Sequence, residues 1–171
     1  ILQQLLDYTK EHLTTKNLAQ YLLDTSKYNG TGKILFLSGA TDPDYMRWLL
    51  LVGLKELMGD RIVDVPKIEH IYTSFPEMLQ PSLYGKGMTY TRVIEDVPIH
   101  RENIEQRIRE REFDFIIYGS VHRGTPYYDL VTQYYSFEKI AFICGEDDHT
   151  CKLSRFPLSF LRESSSFSIN D

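Results

Sequence analysis

Cysteine is scarce in this sequence of 171 residues, and it has neither an excess of positive charge nor a long hydrophobic run. Only Cys144 and Cys151 are present, too few for the disulfide framework of a small secreted domain. The formal net charge of -5 argues against extensive contact with nucleic acid or an anionic membrane surface. The longest apolar run, residues 48–54, is far shorter than the roughly 18 residues that span a bilayer. We therefore predict a reduced, cytoplasmic protein with no membrane span and no nucleic-acid partner.

Residues 1–30 are predicted to form a helical lead-in to the main domain. Leucines and a tyrosine recur at three- and four-residue spacing over 2–13 and over 15–27, which is typical of amphipathic helices. Thr14 or Thr15 is the expected cap of the second helix. The stretch has no basic segment and no cleavage site of small residues, so we expect no signal peptide.

The remaining residues, 31–171, alternate short apolar runs with helical patterns. The runs lie at 33–39, 61–66, 113–120 and 139–148, and they are continuous, as in strands buried on both faces of a sheet. Helices are expected between them, with Asp42 as N-cap, Pro43 as first helical residue and Gly59 as terminator of the first, and Thr125 as cap of the last. We predict an α/β domain with a mostly parallel, Rossmann-like sheet of four to five strands and helices on both faces.

Residues 67–98 interrupt this alternation. They are rich in aromatic residues, proline and glycine, and they are too many for an inert connection in a compact domain. We predict an excursion from the sheet with one short extended piece over 90–94. The C-terminal residues are expected to hold one more short strand at 167–169 or to fray.

Polar loops follow three of the predicted strands. Because the carboxyl ends of parallel strands meet at one edge, where ligands bind, the loops 38–44, 119–126 and 144–151 are expected to share a crevice. The predicted ligand-binding residues are those in the loops nearest the strand ends: Ser38, Gly39, Asp42, Gly119, Ser120, Arg123, Glu146 and Asp147.

The first loop combines a glycine with the start of a helix, whose free N–H groups attract anions. The dinucleotide pattern GxGxxG and the phosphate-binding pattern GxxxxGK[ST] are both absent, so no cofactor is predicted. Asp42 and Asp44 also disfavour an anionic ligand. The alternative is that this loop only caps a helix.

The second loop holds His122 and Arg123. A histidine can act as a base near neutral pH, and His122 is the candidate catalytic residue. The planar guanidinium of Arg123 suits a phosphate or a carboxylate. The alternative is that Arg123 pairs with Glu146, Asp147 or Asp148 of the neighbouring loop.

The third loop contains side chains that zinc accepts, in Cys144, His149 and Cys151. Their spacing fits no standard zinc site, and Cys144 is expected to point into the core, so we predict no metal. The acidic residues 146–148 are suited to sugar hydroxyls or a divalent ion, or they form a solvated turn. The tyrosines at 127, 128, 134 and 135 are interpreted as packing residues.

The order of these segments resembles the N-terminal part of a group of GT-B-type glycosyltransferase-like proteins. The resemblance is carried by residues 33–39, 49–67, 83–96, 113–123 and 142–148, and it covers roughly residues 33–148. It implies a Rossmann-like half-domain on the acceptor side of a cleft, with His122, Arg123 and the loop 145–148 as cleft residues. A second half-domain, expected to follow residue 171, would bind the sugar nucleotide.

Two functions remain open at this point, and with them the question of whether the chain is an enzyme. The first is the acceptor-side half of a glycosyltransferase that modifies a polysaccharide or a protein-bound glycan without a metal, with His122 as general base. Its partners would be a sugar nucleotide and a glycan acceptor. The second is a non-catalytic Rossmann-like module that binds a protein partner through the 67–98 excursion and the tyrosine-rich helix.

Overall fold

A single parallel sheet organises the chain. The computed structural model describes residues 1–39, 44–87, 90–146 and 156–162. The strands are β1 (Lys33–Leu37), β2 (Ile62–Val65), β3 (Phe113–Tyr118), β4 (Ile140–Cys144) and β5 (Ser159–Leu161). Their order is β2-β1-β3-β4-β5, and every neighbouring pair is parallel. The predicted α/β class with a parallel, Rossmann-like sheet is confirmed.

Five α-helices accompany the sheet in the described part of the chain. They are α1 (Leu2–His12), α2 (Thr15–Thr25), α3 (Tyr45–Met58), α4 (Ile104–Arg109) and α5 (Tyr128–Tyr134). Short 3₁₀ turns lie between them, the longest over 77–82. None of the helices in the described ranges is long and apolar enough to cross a membrane.

The sheet is buried on both faces, as the continuous apolar runs predict. In β1, Ile34 and Phe36 face one core, and Leu35 and Leu37 face the other. Helices α2 and α3 cover the first face, whereas α4 and α5 cover the second. The connection after β1 therefore leaves on one side of the sheet, and the connection after β3 leaves on the other.

The helical lead-in packs on the sheet domain through its second helix. Thr14 caps α2, because its hydroxyl accepts the Asn17 N–H at 3.1 Å. Helix α2 lies so close to α3 that a Cβ at Gly53 would stand 1.9 Å from the carbonyl oxygen of Thr15. Helix α1, in contrast, buries none of its residues.

Two predicted helix caps are wrong. Helix α3 begins at Tyr45, and its N-cap is Asp44, whose side chain accepts the Arg47 N–H at 3.1 Å. The predicted cap Asp42 and Pro43 lie outside the described residues. Helix α5 has Tyr127, not Thr125, as its N-cap. The left-handed φ of 59° at Tyr127 turns the chain after Pro126, so the helix starts later than predicted.

The excursion after β2 carries no strand in its described residues. It has short 3₁₀ turns and one parallel bridge between Tyr72 and Ile94, so the extended piece predicted over 90–94 is reduced to a single paired residue. Tyr72 and Ile94 are buried in the first core and anchor the excursion there.

The last strand, β5, pairs with β4 and was not predicted. It has only three residues and a half-exposed pattern, which gives a weak signal in the sequence. The strand expected at 167–169 lies outside the described residues.

Candidate functional site

The candidate site lies where the strand order reverses. Strand β1 is flanked by β2 on one side and β3 on the other, so the chain leaves β1 and β3 toward opposite faces of the sheet. Parallel sheets bind ligands at such a switch point, beyond the carboxyl ends of the strands. The adjacent, parallel placement of β1, β3 and β4 brings their loops together, as the sequence predicts.

Asp44 is the centre of a group that we call the edge cluster: Asp44, Ser120, His122, Arg123 and Glu146. The carboxylate of Asp44 is buried, and it accepts the Arg47 N–H on Oδ1 and the Ser120 hydroxyl on Oδ2. Its Oδ2 also lies 3.1 Å from His122 Nε2. Because a carboxylate can only accept, the neutral ring of His122 carries its proton on Nε2 and a lone pair on Nδ1.

Two oppositely charged side chains form the rim of the edge cluster. Arg123 Nε lies 3.8 Å from Asp44 Oδ2, and Glu146 Oε1 lies 3.8 Å from His122 Nε2. The side chains of Arg123 and Glu146 are 39% and 40% exposed, so both reach solvent beside a mostly buried His122. Arg123 is thus joined to Asp44, whereas Asp147 and Asp148, two of the partners predicted for it, lie outside the described residues.

Ser120, His122 and Asp44 do not form a nucleophilic triad, although they are in contact. The Ser120 hydroxyl is buried and donates to Asp44, and it lies 3.4 Å from both ring nitrogens of His122. In a triad the serine and the carboxylate sit on opposite nitrogens of the histidine. The arrangement therefore suits proton transfer by His122 rather than attack by Ser120.

Ser38 directly follows β1. It is buried, its hydroxyl accepts a hydrogen bond of 2.6 Å from the guanidinium of Arg47, and its N–H donates to the Val65 carbonyl. Arg47 itself is completely buried. Of the other predicted ligand-binding residues, Asp42 and Asp147 lie outside the described residues.

The two predicted glycines of the site make room for other parts of the protein. A Cβ at Gly39 would stand 2.1 Å from the Arg123 carbonyl oxygen, and one at Gly119 would stand 2.1 Å from the Phe36 ring. The space beside each glycine is thus filled by the chain itself. A direct role of either glycine in ligand binding stays a prediction.

Sequence reasoning missed Asp44 and Arg47 as members of the site. Asp44 entered only as an obstacle to anionic ligands, and Arg47 was counted as part of a helix. One signal was available, since Asp44 directly precedes the apolar stretch of α3 and is a residue type that caps helices. Nothing in the sequence indicates that the same carboxylate contacts His122, which lies on another loop.

Cys144 is buried at the end of β4, as predicted. Its sulfur takes part in a disulfide, so the expectation of reduced cysteines is wrong for this residue, and Cys144 offers no thiolate to a metal. Within the described ranges no group of three or more histidine, cysteine or acidic side chains is arranged to hold a metal ion. His149 and Cys151 lie outside those ranges.

A second polar group, which we call the flank cluster, lies beside β2 and comprises Lys55, Asp64, Tyr72 and Arg101. Asp64 is fully buried and accepts hydrogen bonds from the other three at 2.9, 2.7 and 2.8 Å. Burial lowers the pKa of Lys55, and Asp64 opposes that shift. Burial also raises the pKa of Tyr72, and Asp64 adds to the rise. The cluster ties α3, β2 and the excursion together.

The chain matches no protein-family model, no curated protein and no solved structure. The functional assignment therefore depends on the geometry of the edge cluster and on the resemblance described above.

Proposed function

We propose that this chain is the acceptor-side, Rossmann-like half of a GT-B-type glycosyltransferase-like protein, with His122 as the general base. The observation that carries the proposal is the pair formed by His122 and the buried carboxylate of Asp44 at the switch point of the sheet. Histidine held by a carboxylate in a crevice is a common arrangement for proton abstraction.

The proposed reaction uses the lone pair on His122 Nδ1. That nitrogen takes the proton of an acceptor hydroxyl as the hydroxyl oxygen forms a bond to the anomeric carbon of the donor sugar. The bond from that carbon to the nucleotide breaks, and its electrons leave with the nucleotide. Asp44 stabilises the imidazolium that results, and general base catalysis of this kind contributes about 10²–10⁴-fold to a rate.

The half-exposed rim of the edge cluster suits a glycan acceptor. The exposed carboxylate of Glu146 can accept hydrogen bonds from sugar hydroxyls, and the guanidinium of Arg123 can donate them. The sugar nucleotide would be held largely by a second half-domain, as the resemblance implies. Neutral sugars are therefore the ligands that we expect this half to bind.

The proposal is tested by amide chemical shifts of the protein during titration with neutral oligosaccharides and, separately, with nucleotide sugars. We expect the neutral sugars to shift signals of the loops around Asp44, His122 and Glu146. The variant His122→Ala should reduce those shifts, whereas His12→Ala, which removes an exposed histidine of α1, should leave them unchanged. Shifts confined to other surfaces, or equal shifts in both variants, would contradict the proposal.

A second candidate function, a non-catalytic module that binds a protein, is favoured by one observation. The excursion exposes apolar side chains, with Met78 and Tyr84 85% and 65% exposed. The tyrosine-rich helix adds little to such a surface, because Tyr135 is buried and its neighbours pack on the second core. The two functions differ in which surface a ligand perturbs, so the same titration separates them.

A further inference from the structure

The loops after β1 and β3 touch each other through bare backbone at two glycines. Leu37 and Tyr118, the last residues of their strands, are paired, and the Gly119 N–H donates to the Leu37 carbonyl at 2.9 Å. Beyond that point Gly39 meets Arg123 and Gly124. A Cβ on Gly39 would stand 2.1 Å from the Arg123 oxygen and 2.6 Å from Gly124 Cα.

Each glycine is needed for a different reason. Gly39 supplies space, since the atoms that a side chain would meet are backbone atoms that cannot rotate away. Gly124 supplies conformation, because its φ of 117° lies in a region that L-residues with side chains rarely adopt. A Cβ on Gly124 would also stand only 3.3 Å from Gly39 Cα, so the two backbones are in close contact at both glycines.

The contact lies next to the functional groups of the site. The oxygen that meets Gly39 belongs to Arg123, the residue after His122, and Asp44 follows Gly39 by five residues in the sequence. A side chain at Gly39 would push the Arg123 backbone away by about 1 Å, a displacement comparable to those that cost an active site roughly 10²-fold in rate. The 3.1 Å contact from His122 Nε2 to Asp44 Oδ2 would not survive such a shift.

We infer that Gly39 and Gly124 are positioning residues, whose backbone contact holds His122 against Asp44. A catalytic role of the two glycines rests on the proposed function, whereas their effect on the position of His122 does not. The two can therefore be tested separately.

The test is the long-range ¹H–¹⁵N spectrum of the His122 ring, which reports which nitrogen carries the proton. In the wild-type protein we expect a proton on Nε2. The variant Gly39→Ala should change the His122 signals, whereas the other signals should remain those of the folded protein. If the protein transfers sugars, the same variant should lower kcat by about 10²-fold with a smaller change in KM.

Gly53→Ala is the matched control. It also places a Cβ about as close to a backbone carbonyl, 1.9 Å from the Thr15 oxygen, but between α2 and α3. We expect it to leave the His122 signals unchanged. Identical His122 spectra in wild type and folded Gly39→Ala, or equal changes in Gly39→Ala and Gly53→Ala, would overturn the inference.

Gly124→Ala serves as a second variant, because its Cβ would meet Gly39 Cα at 3.3 Å and so needs a smaller displacement than Gly39→Ala, although the φ of 117° adds strain. It should break the same contact from the other loop and change the His122 signals in the same way. A folded Gly124→Ala protein with unchanged signals would refute the positioning role even if Gly39→Ala does not fold. A displaced His122 in a protein that binds no sugar would count against the proposed function alone.

Discussion

The edge cluster and the flank cluster are both built around one buried aspartate, yet they differ in how its partners are held. In the flank cluster, Asp64 has three donors within 2.9 Å, two of them cations. In the edge cluster, Asp44 has a close contact to His122, whereas its cation, Arg123, lies 3.8 Å away and reaches solvent. Asp64 is thus compensated by two cations inside the protein, whereas the charged side chains of Arg123 and Glu146 reach solvent.

This difference separates a structural role of the flank cluster from the binding role that we propose for the edge cluster. A buried ion pair with every lone pair satisfied resists rearrangement, because each group would lose its only compensation for lost hydration. A rim of half-exposed charges loses little when a ligand replaces water. A mutation that removes the Asp64 carboxylate should therefore mainly lower stability, whereas one that removes the Asp44 carboxylate should mainly affect ligand binding.

The largest effect on stability is expected from Asp64→Asn. The substitution leaves Lys55 and Arg101 close together without a countercharge, and breaking a buried pair in this way typically costs about 3–5 kcal/mol in the free energy of unfolding. Urea denaturation at neutral pH measures it. A loss below about 1 kcal/mol would show that water reaches the flank cluster and that the contrast between the clusters is false.

Asp44→Asn is the counterpart in the edge cluster, and it should cost no more than about 1 kcal/mol because asparagine also caps helices. Its effect should appear in His122. The amide oxygen is expected to keep the Arg47 N–H, so the amide nitrogen would face His122 and donate to Nε2. The ring proton would then move to Nδ1, which would no longer accept a proton from a ligand. The His122 ¹⁵N spectrum checks this, and an unchanged tautomer would contradict it.

The fold was predictable from sequence because the strands have strong local signals. The runs around Ile34, Phe115 and Ile140 are apolar and continuous, and parallel sheets bury such strands on both faces. The convergence of the loops followed from the same rule, since loops after parallel strands share an edge. His122, Arg123 and Glu146 were singled out as candidates in this way, as polar residues directly after strands.

The contacts that give each cluster its character were not predictable. The flank cluster draws its residues from a helix, a strand, the excursion and the segment before α4, and no spacing rule links them. The same holds for Asp44 and His122, which meet only because β1 and β3 are neighbours in the sheet. Short elements were also missed, as β5 shows, since three residues carry too little periodicity to indicate a strand.

A third carboxylate, that of Glu112, has features of both clusters: like Asp64 it binds two cations, and like the rim of the edge cluster it is partly exposed. It binds Arg107 at 2.7 and 3.0 Å and Lys33 at 2.7 Å, but its side chain is 33% exposed. The hydrogen bonds from Arg107, aided by Lys33, lower the pKa of Glu112 from 4.5 to about 2.

The sign of the resulting pH dependence follows from proton binding. Between pH 4.5 and about 2 the unfolded chain binds a proton at Glu112 that the folded chain does not. The stabilisation from this group is therefore fully present above pH 4.5 and is lost as the pH falls toward 2. Because solvent screens this partly exposed carboxylate, we expect a contribution of about 1 kcal/mol or less, smaller than that of Asp64.

Urea denaturation across this range should show a shallower pH dependence for Glu112→Gln than for wild type, whereas Glu102→Gln, at an exposed glutamate, should follow wild type. Parallel curves for wild type and Glu112→Gln would mean that solvent exposure, rather than the number of hydrogen bonds, decides how much a carboxylate of this protein contributes to its stability.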